Sequence, residues 1–227
     1  MISRNSNVSR SPEATVIKLG GGLAESGRLQ SAVRLVAGAR VPVVVVPGGG
    51  SFAEAVRIAQ ANLGFSDAAA HRLAILAMHQ TAHMLAALEP RLVPVETLAG
   101  MWRELTHGRI PVWLPWKLSA RDTTIPADWS VTSDGLAARL AERLGGVPVV
   151  LVKSCAVPRD ATLLRLARSG TIDPTFVTIV ERAQLNWRVL GAGDEGALAS
   201  LVRSRARLSP RQARRRSAPP RAIARRR

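Results

Sequence analysis

The sequence Thr-Val-Ile-Lys-Leu-Gly-Gly-Gly at residues 15–22 predicts a short buried strand that runs directly into a glycine turn. Valine, isoleucine and leucine are typical of such strands. Gly20, Gly21 and Gly22 remove every Cβ from the turn, so backbone N–H groups can close on an anion. Lys18 lies inside the apolar run, where burial of its ammonium is costly unless a negative group faces it.

A second glycine turn, formed by Gly48, Gly49 and Gly50, follows another apolar strand at Val41–Val46. A glycine after a strand is often only a tight turn, and either turn alone would favour that interpretation. Two such turns, the first of which carries Lys18, instead favour a phosphate site built from two loops. Neither turn has the pattern of a Walker A loop or of a dinucleotide-binding fingerprint.

The composition indicates one globular domain. The chain has 227 residues, of which 47% are hydrophobic, enough for a full core. No apolar run approaches the ~20 residues that span a bilayer, and residues 1–14 lack the apolar segment of a signal peptide. The lone cysteine, Cys155, has no internal disulfide partner. We therefore expect a cytoplasmic protein with no membrane partner.

The formal charge of +16 is concentrated at the C-terminus. Residues 203–227 hold eleven arginines and no acidic residue, which leaves +5 for residues 1–202. Because this tail has few large apolar side chains, it cannot bury enough surface to become ordered. We predict a flexible N-terminus (1–14), a domain (15–203) and a disordered arginine-rich tail (204–227). Without aromatic residues between its arginines, the tail allows only non-specific, salt-sensitive contact with nucleic acid.

Lysine is rare in this chain, which has 29 arginines but only Lys18, Lys117 and Lys153. These positions favour sites that need a compact ammonium rather than a planar guanidinium. Chance remains the alternative for Lys117 and Lys153. His79 and His83 share one face of a predicted helix, but no third ligand lies nearby in sequence. We interpret them as packing or surface residues and predict no protein metal site.

Strands and helices alternate along the chain. This pattern predicts an α/β fold, a three-layer αβα sandwich with a mainly parallel central sheet. Ligands in such sheets bind at the carboxyl ends of the strands. We expect such strand ends to hold Lys18, Gly48–Gly50, Asp134 and Lys153, each of which lies at or just beyond one.

Two later segments of the chain are candidates for function. Leu114–Trp129 is a long predicted loop that carries Lys117 and Arg121, and long loops in compact domains are often functional. Asp134 lies in the first turn of a predicted helix that Thr132 or Ser133 caps. A carboxylate at this place is also favoured by the helix dipole alone, which is the simpler interpretation.

The order of these motifs resembles the amino acid kinase family, which includes acetylglutamate, aspartate and carbamate kinases and bacterial UMP kinase. The resemblance covers about residues 15–203 and rests on Ile17–Gly22, Gly48–Gly50 and Thr132–Asp134. It implies the αβα fold of carbamate kinase, ATP with Mg²⁺ and a small-molecule phosphate acceptor, and we expect a homo-oligomer.

Within the family, three segments resemble the small archaeal-type kinases of methanofuran biosynthesis: His71–Met78, Leu114–Lys117 and Trp129–Asp134. Those enzymes phosphorylate the phosphate ester of an aminomethylfuran methanol to a diphosphate. The resemblance therefore implies an ATP-dependent kinase of this kind in one-carbon cofactor biosynthesis. The alternatives are a UMP kinase, an amino acid kinase proper, a non-catalytic anion-binding member of the family, or a nucleic-acid-tethered module whose function lies in the tail.

The resemblance also implies roles for individual residues. Lys18 would stabilise the transferring phosphoryl group, and Asp134 would orient the Lys18 side chain. Gly20, Gly21 and Gly22 would hold the nucleotide phosphates. The acceptor would lie against Gly48, Gly49 and Gly50. We also expect Thr132 and Ser133 to bind the acceptor, and Lys117, a cation beside the tryptophans of its loop, to bind the acceptor's phosphate.

The chain departs from the family pattern in its second half. Many relatives carry a late Gly-Gly-Met-x-x-Lys segment, whereas residues 169–173 contain no lysine. Many also have Thr-Asp-x-x-Gly where this chain has Lys153-Ser154-Cys155-Ala156-Val157. We expect Lys153 to supply the missing positive charge and, with Ser154, to bind the nucleotide.

Deletion of Ser204–Arg227 should leave kinase activity and melting temperature nearly unchanged, because a polar, proline-bearing segment adds nothing to a core. Activity assays at moderate salt and thermal melts of the truncated and full chains check this. A large loss of activity in the truncated chain would contradict it.

Overall fold

The computed structural model describes residues 14–119 and 122–204. Apart from Ala14 and Ser204, the predicted N-terminal segment and tail lie outside these ranges, as does Arg121. The domain limits 15–203 stay a prediction. The strands are β1 (Thr15–Leu19), β2 (Val43–Pro47), β3 (Leu92–Val95), β4 (Ile110–Trp113), β5 (Val149–Val152) and β6 (Trp187–Leu190).

The helices alternate with the strands, as predicted. They are α1 (Leu29–Ala37), α2 (Gly50–Leu63), α3 (Asp67–Leu88), α4 (Leu98–Thr106), α5 (Trp116–Ser119), α6 (Ser133–Arg143), α7 (Leu163–Arg168), α8 (Pro174–Arg182) and α9 (Glu195–Arg203). A short 3₁₀ turn follows β1 at Gly21–Leu23. In the described ranges, no helix combines the length and apolar character needed to cross a membrane.

The six strands form one parallel sheet in the order β3-β4-β2-β1-β5-β6. Side chains alternate between the two faces of a strand. On β1, Val16 packs in a core with residues of α6 and α8, whereas Ile17 and Leu19 pack in a second core with residues of α1 and α9. Helices thus cover both faces, and the predicted αβα sandwich is confirmed.

The sheet has a topological switch point between β1 and β5. From β1 the chain continues to β2 on one side, and from β5 it continues to β6 on the other. The connections therefore diverge at the carboxyl ends of these neighbouring strands and leave a crevice, which is where ligands bind in doubly wound sheets. Lys18 belongs to β1, and Lys153 directly follows β5.

The two glycine turns contact each other backbone to backbone. A Cβ on Gly48 would lie 2.4 Å from the nitrogen of Gly21, and a Cβ on Gly21 would lie 2.6 Å from the nitrogen of Gly50. Gly50 also has a positive φ of 53°, a conformation that favours glycine. Only residues without side chains allow this approach, so the glycines bring the first turn against the start of α2.

The segment after β4 is less irregular than the sequence indicates, because α5 interrupts the predicted loop at Trp116–Ser119. The backbone N–H of Trp116 donates to Nε2 of His79 (3.0 Å) on α3. Farther along, Nε1 of Trp129 donates to Gln60 on α2 (2.7 Å). This segment is therefore anchored to α2 and α3, and His79 accepts one of the anchoring hydrogen bonds.

Gly48→Ala should lower both the melting temperature and turnover, because its Cβ would force the two glycine turns apart at a cost of about 1–3 kcal/mol. Gly196→Ala is the matched control, since a Cβ there meets nothing within 4 Å. Thermal melts and initial rates of both variants check the prediction. Equal behaviour of the two variants would contradict it.

Candidate active site

Lys18 and Asp134 meet at the carboxyl edge of the sheet. Lys18 shares the face of β1 with Val16, which is the face that α6 covers. Asp134 lies in the first turn of α6, whose N-cap is Thr132. Lys18 Nζ lies 2.8 Å from Asp134 Oδ1, as an ion pair without hydrogen-bond geometry. The buried lysine thus has the negative partner that its position in an apolar strand requires.

Lys153 joins the same carboxylate. It follows Leu151 by two residues, and Leu151 packs on the α6 side of the sheet, so alternation directs Lys153 to that side as well. Lys153 Nζ donates a hydrogen bond to Asp134 Oδ2. The side chains of Lys18 and Asp134 are 5% and 3% exposed, and that of Lys153 is 14% exposed. The cluster carries a formal charge of +1, which attracts an anion.

The pKa of Asp134 depends on these two lysines. Burial raises this pKa, but the charges of Lys18 and Lys153 outweigh burial and hold the pKa below its usual value of 3.8. Asp134 is therefore ionised at neutral pH. Because its pKa is lower in the folded state, the pairing stabilises the fold above about pH 4, and this contribution is lost as the pH falls through the folded pKa.

The pKa of Lys153 is lowered from 10.5, first by burial and then by the charge of Lys18. Asp134 partly opposes both effects. A lysine in this environment loses its proton at a lower pH than an exposed lysine does. The charge of the cluster is therefore sensitive to alkaline pH at Lys153.

Asp173 holds the start of α6 in place, a role that the sequence analysis missed. Its Oδ2 accepts hydrogen bonds from the backbone N–H of Thr132 (2.9 Å), the hydroxyl of Thr132 (2.7 Å) and the N–H of Gly135 (2.9 Å). Its Oδ1 accepts from Phe176 N–H (2.6 Å) at the start of α8. Its position before Pro174 signals an N-cap, but nothing in the sequence links that cap to α6.

The first glycine turn borders this cluster. A Cβ on Gly20 would lie 3.8 Å from Lys18 Nζ, and a Cβ on Gly22 would lie 2.7 Å from Ser154 Oγ. The structure thus brings together Lys18, Asp134, Lys153, Ser154 and both glycine turns. A cation cluster beside backbone that lacks Cβ atoms suits the phosphates of a nucleotide.

Of the other predicted acceptor residues, Thr132 and Ser133 lie beside Asp134 at the start of α6, whereas Lys117 follows β4, which β2 separates from β1 in the sheet. The hydroxyl of Thr132 is already bonded to Asp173, and Ser133 is the first residue of α6. Lys117 is exposed on α5, four residues after the end of β4. It shares the carboxyl edge of the sheet with the cluster, but no ion pair joins it to another described residue.

Protein ligands for a metal are scarce at this edge. Within residues 14–119 and 122–204, no three His, Cys, Asp or Glu side chains gather closely enough to hold a metal ion. The one carboxylate of the cluster is engaged by two lysines. The residues present do not form a protein cage for Mg²⁺, so any such ion must take most of its ligands from phosphate oxygens and water.

The family follows from comparison with known proteins. A model of the amino acid kinase family matches residues 13–156, more than half of the chain. The chain belongs to the amino acid kinase family. Together with kinase-named relatives, this membership makes it an ATP-dependent kinase, as the resemblance implied.

This kinase is similar to (5-(aminomethyl)furan-3-yl)methyl phosphate kinase of Methanocaldococcus jannaschii. The two sequences are 27% identical over 183 residues, which cover 75% of this chain and 84% of the relative.

Solved structures share the fold of this kinase. Uridylate kinase from Archaeoglobus fulgidus matches with a TM-score of 0.56 at 21% identity and covers 82% of this chain and 94% of its own. Isopentenyl phosphate kinase from T. acidophilum matches with a TM-score of 0.53 at 15% identity, over 83% and 95% of the two chains. Carbamate kinase from Giardia lamblia gives 0.52 at 12% identity, over 84% and 96%.

The pH profile of kcat/KM for ATP should have an alkaline limb whose midpoint lies below 10.5, the usual pKa of a lysine. The reason is that a neutral Lys153 cannot offset phosphate charge. In Lys153→Arg the guanidinium stays charged, so the normalised profile should shift to higher pH. Initial rates between pH 7 and 10.5 check this. An alkaline limb that is identical in both proteins would contradict it.

Proposed function

We propose that this kinase transfers the γ-phosphoryl group of ATP to the phosphate oxygen of a small phosphate monoester and so forms a diphosphate. The observation that carries the proposal is the buried cluster of Lys18, Asp134 and Lys153 at the meeting point of two glycine turns. We further propose aminomethylfuran methyl phosphate as the acceptor, in methanofuran-type one-carbon cofactor biosynthesis. The name of the Methanocaldococcus jannaschii relative supports this acceptor.

The names of two structural neighbours support a phosphate acceptor in general. Uridylate and isopentenyl phosphate are both phosphate monoesters. An acceptor of this kind already carries ionised oxygens at neutral pH, so no general base is needed. This agrees with the absence of a neutral basic side chain from the cluster, where Asp134 is held ionised by two ammonium groups.

In this proposal the nucleotide phosphates lie on the β1–β5 side of the crevice. The backbone N–H groups of Gly21 and Gly22 would line one wall, and Lys153 and Ser154 the other. The N–H of Gly20 already donates to the carbonyl of Val152 (2.9 Å), so Gly20 contributes only by its lack of a Cβ. Lys153 supplies a positive charge that many relatives take from a late segment. Mg²⁺ would arrive with the nucleotide and be held mainly by phosphate oxygens and water.

The acceptor would lie on the β2 side. Gly48, Gly49 and Gly50 lead into α2, whose 14 residues direct a positive dipole end at this turn. Thr132 and Ser133 lie at the start of α6. The N–H and hydroxyl of Thr132 already donate to Asp173, so at this helix start the acceptor would be bound through the N–H and hydroxyl of Ser133. Lys117, exposed on α5, is proposed to bind the phosphate that the acceptor already carries.

The reaction then needs positioning and charge stabilisation, with no nucleophilic side chain. An acceptor phosphate oxygen forms a bond to the γ-phosphorus of ATP. The bond from that phosphorus to the bridging oxygen breaks, and ADP leaves with the electron pair. Lys18 donates to the transferring group and offsets its negative charge. Asp134 orients Lys18 and Lys153 and takes no proton.

Two expectations concern the surroundings of the enzyme. The lone cysteine is typical of cytoplasmic proteins, and cytoplasmic location stays a prediction. A homo-oligomer also stays a prediction. It is supported by exposed apolar side chains on the α2–α3 pair: Ile58, Leu63, Leu73 and Leu76.

A coupled assay with ATP and a panel of acceptors tests the proposed function. The panel contains aminomethylfuran methyl phosphate, UMP, isopentenyl phosphate and free amino acids. The highest kcat/KM is expected with the furan phosphate. A preference for UMP or for an amino acid carboxylate would replace the proposed acceptor, and turnover with none of them would contradict a phosphate-monoester kinase of this class.

Two lysine variants should separate catalysis from acceptor binding. Lys18→Ala should lower kcat by about 10²–10⁴, as expected for loss of a donor to the transferring group. Lys117→Ala should raise the acceptor KM much more than the ATP KM, with a smaller fall in kcat, because it removes binding common to ground and transition states.

Arg40→Ala is the control for general loss of positive charge, since Arg40 is exposed just before β2 at the opposite, amino edge of the sheet. Its kinetic constants should match those of the wild type. Turnover of Lys18→Ala within a few-fold of wild type would remove Lys18 from the mechanism. Equal effects of Lys117→Ala on both KM values would place Lys117 outside the acceptor site.

A further inference from the structure

Arg28 makes long-range contacts at the nucleotide side of the crevice that no role assigned so far explains. It precedes α1, and its side chain is 22% exposed. Its guanidinium donates to three backbone carbonyls, those of Lys153, Ser154 and Gly191, each at 3.2 Å. The first two follow β5 and the third follows β6. One side chain therefore fastens the backbone beyond two neighbouring strands.

Arg28 is also tied to the first glycine turn. Its backbone N–H donates to the carbonyl of Leu23 (2.9 Å), the last residue of the 3₁₀ turn. Its guanidinium pairs with Glu195 at the start of α9. Arg28 thus connects the segments that follow β1, β5 and β6, which are the three strands on the proposed nucleotide side.

The segments after β5 and β6 support each other as well. Lys153 N–H donates to Leu190 (2.8 Å), and Ala192 N–H donates to Cys155 (3.0 Å). A Cβ on Gly191 would lie 2.6 Å from both Cys155 O and Val157 N. The backbone from which Lys153 and Ser154 project is therefore backed by the β6 segment, and Arg28 bridges the two.

We propose that Arg28 is a positioning residue for the nucleotide half of the active site. By holding the carbonyls of Lys153 and Ser154, it fixes the backbone that directs the Lys153 ammonium at Asp134 and at the nucleotide phosphates. The planar guanidinium suits this role because its N–H groups reach several acceptors in a fixed geometry, which a lysine ammonium does not reproduce. The inference rests on the nucleotide-binding role proposed for Lys153 and Ser154.

The test compares wild type, Arg28→Ala and Arg28→Lys with Arg34→Ala. Arg34 is an exposed arginine of α1 whose side chain donates to Gln30. Arg28→Ala should raise the ATP KM about tenfold or more and leave the acceptor KM within about twofold. Arg28→Lys should restore little of this loss, and added guanidinium should restore part of it in Arg28→Ala. Arg34→Ala should match wild type with or without guanidinium.

Hydrogen exchange of the ligand-free proteins provides a readout that does not need activity. Amides of residues 153–157 and 190–193 should exchange faster in Arg28→Ala than in Arg34→Ala, with the core strands unchanged. Glu195→Gln keeps the three carbonyl contacts, so it should change the ATP KM by less than about twofold. If Arg28→Ala does not fold, Arg28→Lys and Gly191→Ala replace it in the comparison. A Cβ on Gly191 would meet Cys155 O and Val157 N, so Gly191→Ala disturbs the segment after β5 from the β6 side.

Equal rises of both KM values, or unchanged exchange at residues 153–157 in the Arg28 variants, would overturn the positioning role. These outcomes differ from failure of the proposed function, which would appear as an inactive wild type. The exchange experiment then still decides whether Arg28 fixes the segment after β5.

Discussion

The candidate active site depends on one buried carboxylate that pairs with two ammonium groups. Asp134 is 2% exposed and compensates the charges of Lys18 and Lys153. Removal of a partner from a buried ion pair leaves an uncompensated charge at a cost of several kcal/mol. The cluster keeps a net positive charge because there are two lysines and one aspartate. That excess charge favours an anion in the crevice between β1 and β5, and it is the basis of the phosphate site that we propose there.

The rest of the fold brings these three side chains together. Alternation along β1 and β5 directs both lysines to the face that α6 covers. Asp173 fixes the start of α6 through Thr132 and Gly135, so that Asp134 lies over the two strand ends. The pKa of Asp173 is raised, first by burial and then by the charge of Asp134. The hydrogen bonds that Asp173 accepts from the starts of α6 and α8 oppose this unfavourable effect of a second carboxylate near the cluster.

The position of Lys153 has consequences for the nucleotide half of the site. A lysine directly after a central strand is held by the sheet and by backbone contacts to the β6 segment. A lysine on a late loop would depend on the order of that loop. In this chain the proposed nucleotide charge therefore comes from the end of an inner strand of the sheet, and Arg28 adds a contact from the segment after β1. The second glycine turn, at Gly48–Gly50, follows β2, which lies on the other side of β1 from β5.

The sequence alone determined the parts of this protein that depend on local pattern. Alternating apolar runs and glycine turns predicted the parallel sheet and its covered faces, and Lys18 within a buried strand predicted a negative partner. Tertiary structure alone decided that Asp134 serves both lysines, that Asp173 binds two helix starts and that α5 interrupts the segment after β4. These features join residues far apart in the chain, and neither periodicity nor spacing specifies which strand end meets which helix start. The physical reason is that local propensity is set by near neighbours, whereas charge pairing is set by the packing of the sheet against its helices.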